Sequence, residues 1–233
     1  MKGISVIIPV LEEAENLERL LPYLQCASTP GAVTEVLVVD GGSGDDSVTV
    51  AQKHGALVVE SPRGRALQMN AGAARAQGDI LYFLHADSLP PRGFDRQIRT
   101  AVNQGYGAGC FRLAFDHPSS ALRVFAWFTR LNWALCRGGD QSLFVRAEVF
   151  RDLQGYNPRF VIYEDNELIG RIRRRYRFRV IPDTLVTSAR KYEIHGVWRL
   201  QAHFGIIHLL RALGASPERL YRYYRKYVKG KGP

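Results

Sequence analysis

Four short apolar runs, Ile4 to Val10, Glu35 to Val39, Ala56 to Glu60 and Ile80 to Leu84, recur early in the chain with helix-like segments between them. The first is almost continuously apolar and β-branched, the pattern of a strand covered on both faces. Leu17, Leu20, Leu21 and Leu24 follow at helical spacing, and further helices are expected over about Asp45 to His54 and Arg65 to Ala76. Strand and helix in alternation predict an α/β fold, a Rossmann-like and mostly parallel sheet flanked by helices. Open sheets of this kind bind ligands outside the carboxyl ends of their strands, near the point where strand order reverses. Pro9 to Glu13, Asp40 to Ser43 and His85 to Asp87 are all strand exits, so they are expected to converge on one site.

Beyond about Gln104 the rhythm loosens into a mixed half. Strands are expected at Gly107 to Phe115, Gln141 to Val145 and Phe178 to Ile181, and helices at Ser119 to Leu135 and Glu164 to Arg175. Two closing helices, Val197 to Leu213 and Pro217 to Val228, follow. The expected division is a doubly wound α/β half over 1–103, a mixed half over 104–195 and a basic helical extension over 196–233. With 233 residues, 46% of them apolar, the chain can bury a sizeable core. The net charge of +10 points to an acidic partner: a phosphorylated ligand, an anionic membrane surface or, less favoured, a nucleic acid. Much of that charge is late, since Gly196 to the C-terminus holds eight Lys or Arg and one Glu. Three cysteines, Cys26, Cys110 and Cys136, lack metal-type spacing and read as free thiols of a reducing compartment. The N-terminal apolar run is too short for a signal peptide, and no run of 18 apolar residues occurs. The expected location is therefore cytoplasmic, with peripheral contact to a membrane through the basic tail and the aromatic residues Trp127, Phe128 and Trp133.

Several polar clusters could carry chemistry. Asp40 precedes Gly41-Gly42-Ser43, either a plain turn or a carboxylate offered to a base or ribose. Asp45 and Asp46 suit the start of the next helix. His85 and Asp87, two apart at a strand end, are expected on one face, where Asp87 would suit a divalent cation shared with a diphosphate, or else a turn. Arg63 and Arg65 open a helix where guanidinium and N–H groups can meet an anion. Asp140 and Gln141, after two glycines, suit a sugar hydroxyl. Glu164, Asp165 and Glu167 crowd a helix start, either as electrostatic caps or with Asp165 free to take a proton. Arg190 and Lys191 could compensate a departing diphosphate, and His195 follows them.

Taken together and in order, SVIIPVLEEAENL, VLVVDGGSGDDS, RGRALQMNAGAARAQGDILYFLHAD, GGDQSLFV and YEDNELIGRIRR resemble the nucleotide-sugar glycosyltransferases of family 2, which have the GT-A fold. More narrowly they resemble the small bacterial transferases of arsenosugar biosynthesis, also called selenodomain-associated transferase 2. The resemblance covers about residues 3–195. It implies an inverting transfer from a nucleotide-diphosphate sugar, with UDP expected, to a hydroxyl acceptor. It implies that Pro9, Glu13 and Asp40 line the nucleotide pocket and that Asp165, beside Glu164, is the general base; Arg65 and the Ala86 backbone are expected to join the donor site. His85-Ala86-Asp87 stands where the fold usually carries Asp-X-Asp. A manganese or magnesium ion is then implied at Asp87, with His195 or His85 as a further ligand. The chain departs from the family at Glu12, commonly asparagine, at Asp46, commonly glycine, and at His85, commonly aspartate. A sugar nucleotidyltransferase fits less well, because the first strand exit is acidic and free of glycine.

Overall fold

The computed structural model describes residues 3–133, 136 and 141–228. Four strands, β1 (Ile4–Val10), β2 (Val33–Asp40), β3 (Leu57–Glu60) and β4 (Ile80–Phe83), alternate with α1 (Ala14–Ala27), α2 (Ser47–Lys53) and α3 (Arg65–Arg75). The expected alternation is thus borne out. The chain continues through β5 (Ser88–Leu89), α4 (Phe94–Asn103), β6 (Ala108–Phe115), α5 (Ser120–Phe128), β7 (Leu143–Arg146) and α6 (Ala147–Asp152). It closes with α7 (Glu164–Arg175), β8 (Phe178–Thr187), α8 (Arg190–His195), α9 (Val197–Ala212) and α10 (Pro217–Tyr227).

One eight-stranded sheet runs β3-β2-β1-β4-β7-β6-β8-β5. β1 pairs in parallel with β2 and β4, β2 with β3, and β6 with β8, whereas β7 is antiparallel to both neighbours and β5 to β8. Six strands therefore point the same way. Order reverses between β1 and β4, since the chain first adds strands on one side of β1 and then crosses to the other. The exits of β1, β2, β4 and β8 and the entry to β7 consequently share one edge.

Alternation along the strands divides the core into two layers. Ile4, Val6, Ile8 and Val10 face Leu17, Leu20 and Leu24 of α1 and Phe94 and Ile98 of α4. Ile7, Leu37 and Val39 face Ala66 and Met69 of α3 and share a core with Leu168, Ile169 and Ile172 of α7. The C-terminal helices belong to smaller cores that reach inward: Leu122 of α5 packs with Tyr192 and Leu200, and Phe160 with Ile207 and Leu220.

Several boundaries differ from those the sequence suggests. α5 stops at Phe128, not near 135, because the Thr129 hydroxyl donates back to the Ala126 carbonyl (2.6 Å) and accepts the Leu113 N–H (3.0 Å). β8 runs on past Ile181 to Thr187 through a bulge, its partners shifting from Phe111↔Ile181 to Arg112↔Thr184. Pro182 and Asp183 are the residues passed over, a place where a proline costs no ladder hydrogen bond. Asp45 does more than begin α2: its carboxylate accepts the N–H of Ser47 (3.0 Å), first in α2, and that of Ala14 (3.1 Å), first in α1. Burial opposes ionisation there, but the Ser47 hydroxyl and these N–H groups hold the carboxyl below its ordinary range.

Gly72 of α3 lies on the β1–β2 side of its helix, where a Cβ would stand 2.5 Å from Ile7 Cγ2 and 2.8 Å from Val39 Cγ2. Alanine would gain about 1 kcal/mol in helix propensity but cost roughly 1–3 kcal/mol in overpacking. Gly72→Ala is therefore expected to lower the midpoint of a urea unfolding curve.

Candidate active site

The first two strand exits are locked together by a buried amide. Gln68 of α3 donates from Nε2 to the carbonyls of Val10 (2.7 Å) and Val39 (2.8 Å), and Gly41 N–H adds a third bond to Val10 (3.0 Å). A Cβ on Gly41 would come within 3.0 Å of Gln68 Nε2, so the glycine admits that side chain. Outside this bridge the loops are stitched by hydroxyls: Ser43 Oγ accepts Glu12 N–H and Ser47 Oγ accepts Glu13 N–H, both at 2.9 Å. Glu12 sits in the left-handed region, at φ 57°. Asparagine, the residue the resemblance implies at this position, tolerates that backbone better than glutamate does.

Asp40 is buried, and its carboxylate accepts from the N–H groups of Gly42 (3.0 Å) and Ser43 (3.1 Å) and from the Ser43 hydroxyl (2.5 Å). Its visible work is to shape its own loop. Asp40 also lines a cleft of ≈ 420 Å³ with Gly42, Val48, Gln52, Val58, Glu60 and Ser61. Glu60 is the residue of β3 in register with Asp40, so the strand-exit rule could have found it. Pro9 is buried within β1 opposite Val39.

The His85 to Asp87 segment is not a strand end. β4 stops at Phe83, and residues 85–88 form a turn closed by Ser88 N–H to the His85 carbonyl (3.1 Å). The expectation that His85 and Asp87 share a strand face is corrected accordingly, because a turn has no two-residue alternation. Ala86 packs into the core with Leu84, while His85 and Asp87 remain partly exposed. Asp87 accepts the Ser88 hydroxyl on Oδ1 (3.2 Å), and its carbonyl accepts Ser188 N–H (3.2 Å). β5 thereby draws the end of β8 against this turn.

Arg190 opens α8 just beyond, with its guanidinium 3.9 Å from Glu13 Oε1. Glu13 also accepts from Asn16 (2.5 Å). Lys191 is exposed, and His195 lies partly buried at the far end of α8. Among the described residues no three His, Cys, Asp or Glu side chains gather as a metal cage. A carboxylate such as Asp87, at the edge where the strands end, fits a cation that takes most of its ligands from phosphate and water.

Asp165 and Glu164 are both buried at the start of α7. Tyr156 donates to Asp165 Oδ1 (3.1 Å), and Arg65 NH1 lies 3.8 Å from Glu164 Oε1. Burial, and then the neighbouring Asp165 charge, push the Tyr156 phenol well above its ordinary range, so it stays protonated as a donor. Asn70 of α3 holds the Tyr156 backbone through paired bonds, Nδ2 to the carbonyl (2.8 Å) and N–H to Oδ1 (2.9 Å). α3 thus contacts both carboxylates, directly through Arg65 and indirectly through Asn70. Tyr163, just before them, has φ 69°, and its hydroxyl meets His208 Nδ1 of α9 (3.2 Å), an imidazole whose pKa burial lowers. Tyr156, Tyr163 and Gln68 were not legible as site residues, since nothing in local spacing marks them.

Gln141 is buried, its side-chain carbonyl 3.8 Å from the Cys110 thiol inside the sheet. Asp140, expected beside it, lies outside the described residues. The edge therefore brings together Glu13, Asp40, Asp87 and Arg190, with Arg65, Glu164 and Asp165 grouped across α3 and α7.

Known proteins share the family and the fold. Glycosyltransferase AglE of Haloferax volcanii is 27% identical over 165 residues, 64% of this chain and 54% of its own length. An undecaprenyl-phosphate 4-deoxy-4-formamido-L-arabinose transferase of Klebsiella pneumoniae is 33% identical over 46% of this chain and 35% of its own. The chain thus spans about half or less of the length of these relatives. Among solved structures, the mannosyltransferase PcManGT of Pyrobaculum calidifontis, in complex with GDP-mannose and Mn2+, superposes with a TM-score of 0.70 at 22% identity. That match covers 97% of this chain and 68% of the other. Glucosyl-3-phosphoglycerate synthase of Mycobacterium tuberculosis, with Mn2+, UDP and glucosyl-3-phosphoglycerate, gives 0.60 at 20% identity over 80% and 70%. At such identities the likeness shows the fold, which is GT-A. The sequence profile described as glycosyl transferase family 2 matches residues 5–132, more than half of the chain, and on that ground this protein belongs to glycosyl transferase family 2.

Proposed function

We propose that the protein moves a sugar, with inversion, from a UDP-linked donor to a hydroxyl acceptor, with Asp165 as general base. The observation that carries this reading is the placement of Asp165: a buried carboxylate at a helix start, accepting from a tyrosine that stays protonated. The Tyr156 hydroxyl, held protonated, donates to this carboxylate and orients it for the role of a base. In this reading the donor nucleotide sits at the exits of β1 and β2, using the cleft beside Asp40, and Pro9, Glu13, Arg65 and the Ala86 backbone are assigned to it from neighbouring loops. Asp140 and Gln141 belong to the acceptor side in this reading.

Bond making and breaking are simple to state. The acceptor oxygen attacks the anomeric carbon from the face opposite the diphosphate, Asp165 takes the hydroxyl proton, and the bond to the diphosphate oxygen breaks. Arg190 and Lys191 supply positive charge to the departing diphosphate. A divalent cation held by Asp87, with His195 or His85 as a second ligand, would neutralise charge on the same group. Mn2+ in two neighbours of this fold supports that assignment, and UDP in one of them supports the choice of base. Glu164, close to Arg65, keeps the start of α7 against α3 and so positions Asp165.

Three measurements check this. Asp165→Asn is expected to retain donor binding and lose kcat by about 100-fold or more, the scale of a lost general base. Near-normal turnover would move the role to Asp140 or Glu164. Tyr156→Phe removes a donor from the carboxylate form of Asp165, so the acidic limb of the kcat/KM profile is expected to shift to higher pH, with a smaller loss of rate. In thermal melts, UDP with Mn2+ is expected to raise Tm in a concentration-dependent way, and GDP with Mn2+ to do so less. A larger shift with GDP would overturn the base assignment, and no shift with any nucleotide would overturn the donor site.

A further inference from the structure

α9 is apolar on two sides. Leu200, Phe204 and Ile207 turn inward onto Leu122, Phe160 and Tyr192. Trp198, Ala202, Gly205, Ile206, Leu209 and Leu213 are all exposed, Trp198 and Leu213 by more than 70% of their surface. At 100° per residue these six positions fall in an arc about 100° wide. A helix apolar all round is normally buried all round, so this second stripe needs a cover. The stripe does not end at the helix. Trp198 packs edge-on against Phe125 of α5 at 5.6 Å, and α5 adds exposed Val124, Trp127 and Phe128.

The charge around this surface has one sign. α9 contains no acid, and Arg199, Arg219, Arg222, Arg225 and Lys226 are exposed on α9 and α10. The lone acid of the C-terminal segment, Glu218, is already paired with Arg159 at 3.0 Å. A second copy docked face to face would set these cations against their own kind, an unfavourable match for a symmetric dimer. Exposed tryptophans beside arginines match the boundary between acyl chains and anionic headgroups. Among the described residues no helix is long and apolar enough to cross a membrane, so contact would be in the interfacial plane. We propose that α9, with α5 and α10, docks this protein onto the surface of an anionic lipid bilayer, the stripe from Trp198 to Leu213 lying among the upper acyl chains. The proposal is independent of the transfer chemistry, because binding is read without turnover.

The test is co-sedimentation of the full chain with phosphatidylcholine vesicles, with and without about one quarter phosphatidylglycerol, followed also by tryptophan fluorescence. Binding to the anionic vesicles with a blue shift is expected, weakened in about 0.5 M salt. The double variant Trp198→Ser/Leu209→Ser is expected to bind at least about tenfold more weakly with unchanged circular dichroism. Should it fail to fold, Arg222→Glu/Arg225→Glu tests the same surface through charge alone and is expected to weaken binding likewise. Absence of co-sedimentation, equal binding to neutral vesicles, or full binding by the folded variants would overturn the proposal. So would a concentration-dependent dimer in sedimentation velocity that Trp198→Ser abolishes, since a second copy would then be the cover.

Discussion

Two hydrogen bonds from one buried amide hold the site's frame. Where β1 and β2 end, Val10 and Val39 are buried, and Gln68 supplies a donor to the carbonyl of each. An unmet buried carbonyl costs about 1–3 kcal/mol; Gln68 spares Val39 that cost and joins the Gly41 N–H at Val10, which favours ending both strands at the same depth. Everything at the edge inherits its position from that. Ser43, Asp45 and Ser47 can reach the N–H groups of Glu12, Ala14 and Glu13 only because the two exits stand side by side. The left-handed turn at Glu12 persists because those bonds hold it.

α3 carries this order to the second half of the molecule. Along its length, Arg65 faces Glu164, Gln68 faces the strand exits, and Asn70 fixes Tyr156, which in turn donates to Asp165. Gly72 allows the helix to lie close enough to Ile7 and Val39 for these reaches to close. One helix therefore links the strand-exit edge to the carboxylates at α7, through buried hydrogen bonds at Gln68, part-buried ones at Asn70 and an ion pair at Arg65. The C-terminal helices touch the same region from outside, through Tyr163 and His208, so α9 joins the start of α7 to the apolar surface on which the docking proposal rests.

Much of the fold was legible because it follows from local patterning. The four parallel strands, the convergence of their exits and the mixed second half all come from hydrophobic period and turn residues. The shortest elements were not: α6, α8 and the two-residue β5 have too few residues for a period to stand out, and β5 exists only because β8 passes beside it; the ten-residue α4 was missed although its apolar period is present. The reading of His85 and Asp87 as strand neighbours failed for a related reason. Strand alternation was extended to Asp87, four residues past the end of β4 at Phe83, where a turn takes over.

By itself, the sequence determined an α/β sheet, the edge where polar groups collect, the ordered motifs of a family 2 transferase and a cationic C-terminal segment. Those are properties of neighbouring residues: side-chain period, glycine and proline placement, and charge density. Tertiary structure alone decided that Gln68 caps two strands, that Asn70 and Tyr156 serve Asp165 from 86 and 9 residues away in their respective bonds, and that Gln141 is buried. It also decided which side of α9 is left uncovered. Such choices depend on donors and acceptors far apart in the chain meeting where water is excluded, and no local spacing encodes which partner will be there.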